Sequence, residues 1–179
     1  MVIRKVGVVG CGLMGSGIAQ VCASAGFTTV VREVSSEVVA KGLAGIEKNL
    51  ARLVEKGTIT AAASGEIRGR LTGTTAVEDL KDCDLVIEAI IEQLPAKREL
   101  FSALDAICPA STIFASNTSS LTVTEMAAGT KRPSRFVGMH FFNPVPVMKL
   151  VEVVRTIATD DAVYEEMVGF AGKLGKTAV

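Results

Sequence analysis

A single histidine, His140, stands in a chain of 179 residues, and its side chain is the kind that can take or give a proton near neutral pH. It closes an apolar run over 136–140 and is followed by a loop that carries prolines. Strand ends of this sort are where α/β sheets gather their ligands. Glu152 falls on the next apolar run, 149–154, where a carboxylate can bind the second ring nitrogen, fix the tautomer and make the first nitrogen more basic. The plainer alternatives are a structural histidine and a surface strand carboxylate.

A second constellation lies near the start, where Gly10-Cys11-Gly12-Leu13-Met14-Gly15 has the spacing G-x-G-x-x-G. The match is weak alone, but its setting strengthens it. It follows an apolar strand over 5–9, opens helical spacing over 14–25, and precedes Glu33 by eighteen residues at the end of the next strand. Gly10 permits the tight turn, Gly12 lets backbone approach a pyrophosphate, and Gly15 lets helix and strand pack closely. The N–H groups of the helix start then face the phosphates, so Cys11, Leu13 and Met14 share the expected cofactor-binding segment. Glu33 is expected to accept hydrogen bonds from the adenosine ribose and to repel a 2′-phosphate, which favours NAD over NADP. Arg32 beside it is either a solvated arginine or a group that accommodates that phosphate.

The elements that must hold these residues follow from the hydrophobic period. Strands are expected over 28–32, 71–74, 85–89 and 113–116, and helices over 95–107 and 160–174. A long amphipathic helix starts at Ser35 or Ser36 and runs to Lys56 before Gly57, and a second over 60–70 completes an inserted helical hairpin. Residues 177–179 read as the beginning of another strand. Strands that alternate with helices predict an α/β fold, a Rossmann-type doubly wound, mostly parallel sheet with that hairpin inserted.

Nineteen basic and nineteen acidic residues balance, so no broad field points to nucleic acid or an anionic membrane. The four cysteines, Cys11, Cys22, Cys83 and Cys108, lack metal-ligand spacing; no metal is expected, and a reduced, cytoplasmic setting is. Arg4 and Lys5 before an uncharged run over 6–31 imitate a signal peptide. Six glycines between positions 7 and 26 break that run too often for an apolar helix.

Three segments narrow the chemistry: Ala115-Ser116-Asn117-Thr118-Ser119-Ser120-Leu121, Gly138-Met139-His140-Phe141-Phe142-Asn143-Pro144 and Val147-Met148-Lys149-Leu150-Val151-Glu152-Val153. Together they closely resemble the 3-hydroxyacyl-CoA dehydrogenases, particularly the bacterial 3-hydroxybutyryl-CoA enzymes, across essentially the whole chain. The resemblance implies an NAD-dependent oxidoreductase of fatty acid or butanoate metabolism that interconverts (S)-3-hydroxyacyl-CoA and 3-ketoacyl-CoA. It implies the same His140 and Glu152 pair, with Ser119 on the 3-oxygen of the substrate and in contact with cofactor, and Asn117 organising the pocket. From spacing alone, Ser119 and Asn117 are turn formers. Glu92, Lys97 and Asn143 match cofactor contacts of the family. The hairpin has a role in holding CoA, and Asn49, Arg52 and Lys56 match its polar or basic positions, although Arg52 and Lys56 equally suit a solvated helix face.

By the same resemblance, residues 1–179 correspond to the NAD-binding domain, without the helical dimerisation domain through which the full-length form is a homodimer. Low turnover of acyl-CoA is therefore expected of this chain alone, since an open cleft neither excludes water nor orients the thioester. Two other classes stay open: an NAD-binding module that needs a separate helical partner for activity, and a dehydrogenase of small hydroxy acids on the same architecture.

Overall fold

The computed structural model describes residues 2–179. Its frame is an eight-stranded sheet in the order β3-β2-β1-β4-β5-β6-β7-β8. The strands are β1 (Lys5–Val9), β2 (Thr28–Arg32), β3 (Leu71–Thr74), β4 (Leu85–Glu88), β5 (Ile113–Ser116), β6 (Phe136–Phe141), β7 (Leu150–Arg155) and β8 (Thr177–Ala178). The helices are α1 (Leu13–Ser24), α2 (Ser36–Glu55), α3 (Ala61–Gly69), α4 (Leu94–Ile107), α5 (Val123–Ala128) and α6 (Asp161–Lys173). All neighbouring strands are parallel except β6 and β7, which run antiparallel. The mostly parallel, doubly wound sheet expected from the alternation is thus present, with the hairpin α2–α3 between β2 and β3.

The central strands are apolar without alternation because both faces are covered. On one face Val8, Val31, Leu85 and Ile87 pack with Ile18 of α1, Ile46 and Leu50 of α2, and Phe170 of α6. On the other face, Phe101 of α4 meets Phe114 of β5 and Phe136 of β6 at ring-centroid distances of 5.6 and 4.6 Å. All three rings are fully buried, each stabilising the fold by about 1.5–3 kcal/mol relative to exposure. The signal-like run over 6–31 is β1, α1 and β2 of this core.

The serine cap forms as the sequence implies, and a threonine caps the second hairpin helix. Ser35 Oγ accepts from Val38 N at 3.2 Å at the head of α2, and Thr60 Oγ1 accepts from Ala63 N at 3.1 Å at the head of α3. The six-residue helix α5 lies in a stretch where no helix is expected above; it is too short for a hydrophobic period to register.

One topological feature decides where a ligand can bind. The chain leaves β1 for β2 on one side and returns to β4 on the other, so both β2 and β4 pair with β1. The connections that leave the strand ends diverge there and open a crevice.

Candidate active site

The glycine loop stands at the mouth of this crevice, and each glycine answers a different demand. Gly10 has φ +101°, and a Cβ on it would lie 2.4 Å from Ala89 O. A Cβ on Gly15 would lie 1.9 Å from Gly10 O, so α1 starts against its own turn. At Gly12 no protein atom lies within 4 Å of the Cβ position, although Gly12 begins α1 with an ordinary φ of −72°. The protein's own packing accounts for the outer two glycines. The middle one leaves open space before the N–H groups of a twelve-residue helix that has no side-chain cap and no acid in its first turn, which suits an anionic group.

Glu33 lies just past β2. Its Oε2 accepts from Cys11 N at 3.0 Å and its Oε1 from Val34 N at 2.7 Å, so the carboxylate is held against the glycine loop. Arg32 Nε is engaged by Thr75 O at 3.3 Å. The cleft they share with Gly12 has a volume of about 630 Å³ and an apolar wall that includes Val77, Ile90, Ala96 and Leu100. A planar base bordered by a carboxylate fits such a wall. Cys11 itself turns inward and is buried against Gly42 of α2, where a Cβ would meet its Sγ at 2.1 Å.

A second cavity, of about 340 Å³, brings together Met14, Glu92, Asn117, Ser119, His140 and Asn143. His140 and Glu152 are register partners across β6 and β7, and His140 Nδ1 lies 2.6 Å from Glu152 Oε2. A carboxylate only accepts, so Nδ1 is the donor and Nε2 carries the lone pair. Asn117 N donates to Glu88 O and Asn117 Oδ1 accepts from Phe141 N, both at 2.8 Å, which ties the ends of β4, β5 and β6 together. Ser119 is exposed on the following turn, with its N–H bound to Glu92 Oε1 at 3.1 Å.

Beneath that turn lies a chain of charge whose inner members, Glu88 and Lys97, are buried. Lys97 Nζ of α4 sits 2.5 Å from Glu88 Oε1 and 3.0 Å from Glu92 Oε2. Glu88 also accepts from Ser116 Oγ at 2.6 Å and from Ile90 N at 2.7 Å. Burial raises the Glu92 pKa, but hydrogen bonds from Thr118 and Lys97, the Lys97 charge and the Ser119 N–H together hold it below the usual carboxylate value.

The hairpin residues fall elsewhere. Asn49, Arg52 and Lys56 lie exposed on or just past α2 and do not line the His140 cavity; Asn49 Nδ2 reaches Gln20 Oε1 of α1 at 3.4 Å. Two residues escaped the sequence reading. Glu88, fully buried at the end of β4, left one signal, a carboxylate closing an apolar strand. Lys176 left none: its Nζ donates to Val145 O and Met148 O, both at 2.7 Å, and so holds the loop over 143–149 that carries Asn143. Among the described residues no cluster of side chains suits a metal ion, and no helix is long and apolar enough to cross a membrane.

Comparison with known proteins adds an independent line. The family model of the 3-hydroxyacyl-CoA dehydrogenase NAD binding domain matches residues 5–179. A 3-hydroxybutyryl-CoA dehydrogenase of Bradyrhizobium diazoefficiens is 49% identical over 175 residues, covering 98% of this chain and 60% of that protein. The crystal structure of (S)-3-hydroxybutyryl-CoA dehydrogenase from Ralstonia eutropha superposes with a TM-score of 0.97 at 43% identity, over 99% of this chain and 63% of that one. That of 3-hydroxybutyryl-CoA dehydrogenase from Escherichia coli K12 gives 0.98 at 41% identity, over 100% of this chain and 38% of that one. The chain thus spans about 60% of the length of the curated relatives it matches.

Proposed function

From its membership of the 3-hydroxyacyl-CoA dehydrogenases, as their NAD-binding domain, we propose that the chain holds the cofactor and the proton-transfer group for interconverting (S)-3-hydroxyacyl-CoA, with 3-hydroxybutyryl-CoA as the favoured substrate, and 3-ketoacyl-CoA. The observation that carries this reading is the His140–Glu152 contact of 2.6 Å at the edge of a cavity that also holds Ser119 and Asn117.

The crevice suits a dinucleotide along its length. Gly10, Cys11, Gly12, Leu13, Met14 and Gly15 provide the pyrophosphate turn, Glu33 meets the ribose hydroxyls, and the apolar cleft takes the adenine. Glu92, Lys97, Ser119 and Asn143 border or support the far end. When bound there, NAD supplies the hydride acceptor or donor for C3 of the substrate.

The chain's own residues manage the proton. In the oxidation direction His140 Nε2 takes the 3-hydroxyl proton while Nδ1–H stays bound to Glu152, whose negative charge stabilises the imidazolium that forms. Ser119 Oγ donates to the 3-oxygen and holds it within reach of the ring. Asn117 keeps the strand ends in register, so serine and histidine face one space. In reduction the protonated His140 returns the proton to the same oxygen.

Asn49, Arg52 and Lys56 are assigned to the CoA portion, where two cations one helical turn apart suit phosphate groups. The length by which the relatives exceed this chain is assigned to a helical dimerisation domain, and the whole protein to a homodimer. Four buried free cysteines support a reducing, cytoplasmic setting. Exposed Val147 and Ile157 favour a second reading, in which this unit is an NAD-binding module that is active only with a helical partner. Calorimetric titration with NADH and then acetoacetyl-CoA, followed by a turnover assay, separates the two. Binding of both ligands with low turnover supports the first reading, binding of NADH without turnover supports the second, and binding of neither refutes both.

A further inference from the structure

The chain Glu88–Lys97–Glu92 is more than a scaffold for the Ser119 turn, because its charges do not cancel. Glu88 is 0% exposed and Lys97 1% exposed, and the carboxylate accepts from Lys97 Nζ, Ser116 Oγ and Ile90 N. That count of donors fits an ionised acceptor, so the two form a neutral, immobile pair. Glu92 is the charge left over. Its side chain is 39% exposed and lines the same cavity as His140 and Met14, while Thr118, Ser119 N and Lys97 hold its carboxylate in place. Its pKa, held below the ordinary value by these donors despite partial burial, keeps the charge present throughout the neutral range.

A fixed negative charge on that wall does not treat the two forms of a nicotinamide cofactor alike. The oxidised ring carries a positive charge and the reduced ring carries none, whereas the rest of the dinucleotide is the same in both. Only the ring term responds to Glu92, and it is attractive for the oxidised form alone.

We propose that the Glu88–Lys97–Glu92 chain is a charge-selective element of the cofactor site, which presents one net negative charge to the His140 cavity and thereby strengthens binding of oxidised dinucleotide relative to reduced. This rests on the reading above that the dinucleotide runs along the crevice, adenine in the apolar cleft, which leaves its nicotinamide ring to the His140 cavity at the far end. Glu92 is the discriminating group. Glu88 is a positioning residue, since it holds Lys97 and prevents that cation from neutralising Glu92 alone. The reaction's equilibrium on the protein then shifts toward oxidised cofactor and hydroxyacyl product, by about 30 mV in the bound couple for each tenfold change in relative affinity.

The test is calorimetric titration of the chain with NAD+ and with NADH separately, at low and high salt. Glu92→Gln keeps an amide oxygen for Thr118 and Ser119 N and removes the charge. It is expected to weaken NAD+ relative to NADH by about threefold to tenfold, since the carboxylate is partly solvated and screened. In the unsubstituted chain, high salt moves the affinity ratio toward that of the variant, while the ratio of the variant stays put. The single substitution Glu88→Gln leaves Lys97 free to neutralise Glu92 and is expected to move the ratio toward that of the Glu92→Gln chain. A Glu92→Gln chain that binds both nucleotides with the parent's ratio overturns the inference and leaves the reading of the cleft standing. A parent chain that binds neither nucleotide overturns that reading and this inference with it.

Discussion

His140 and Glu152 face each other across the one antiparallel pair of an otherwise parallel sheet, and their side chains close to 2.6 Å. Because the backbone sets the two residues opposite, the hydrogen bond needs no loop to assemble it. Orienting the imidazole is therefore a property of the sheet, available before any ligand arrives.

The pair predicts a division between binding and chemistry. His140→Gln is expected to lower acetoacetyl-CoA reduction by about 10²- to 10⁴-fold, and Glu152→Gln by at least about tenfold through loss of the charge beside Nδ1. NADH affinity changes by less than about twofold in both. Stopped-flow turnover with parallel fluorescence titration of NADH checks this, and a large loss of NADH binding in either variant contradicts it.

The glycine loop predicts opposite outcomes for two alanine substitutions. Gly15→Ala places a Cβ 1.9 Å from Gly10 O, an overpacking that costs about 1–3 kcal/mol and lowers Tm by about 2–10 °C. Gly12→Ala meets no protein atom within 4 Å, so Tm moves by less than about 2 °C, yet dinucleotide affinity falls by about tenfold or more because the Cβ occupies the approach of the pyrophosphate. Thermal melts with and without NADH distinguish the two.

Glu33 predicts the phosphate preference. Its carboxylate is held by Cys11 N and Val34 N and cannot swing away from a 2′-phosphate without leaving both donors unpaired. Glu33→Ser is expected to weaken NADH and to raise the NADPH-to-NADH affinity ratio by about tenfold. Direct titration with both nucleotides measures it, and an unchanged ratio removes Glu33 from that role.

The cysteines predict alkaline behaviour. Burial raises the thiols of Cys11 and Cys108 to about 11, and those of Cys22 and Cys83 to about 12, with the nearby Glu33 carboxylate adding to the rise at Cys11. A folded pKa above the unfolded value gives stability that is complete below the unfolded pKa and disappears as pH climbs through the folded one. Stability is thus expected to fall as pH rises from about 9 to about 12, and alkylation of the folded chain near neutral pH to be slow. Urea titrations across that window and mass-resolved iodoacetamide labelling test both; rapid labelling of Cys22 in the folded chain refutes the second.

Much of the architecture was legible because local physics dictated it. Apolar strands without alternation, the Ser35 cap and the glycine spacing each carry their meaning within a few residues, and they were enough for a parallel, doubly wound sheet, an inserted hairpin and a tight glycine turn. The linear order also brought His140 and Glu152 onto adjacent strands. It could not say that these strands pair antiparallel with those residues in register, since register is a property of the sheet. Nor could it show that Glu88 and Lys97, nine positions apart, would form a buried pair, or that Lys176 would reach back to Val145 and Met148. A buried charge is tolerable only where partners from several elements converge on it, and that convergence exists only once the chain has folded.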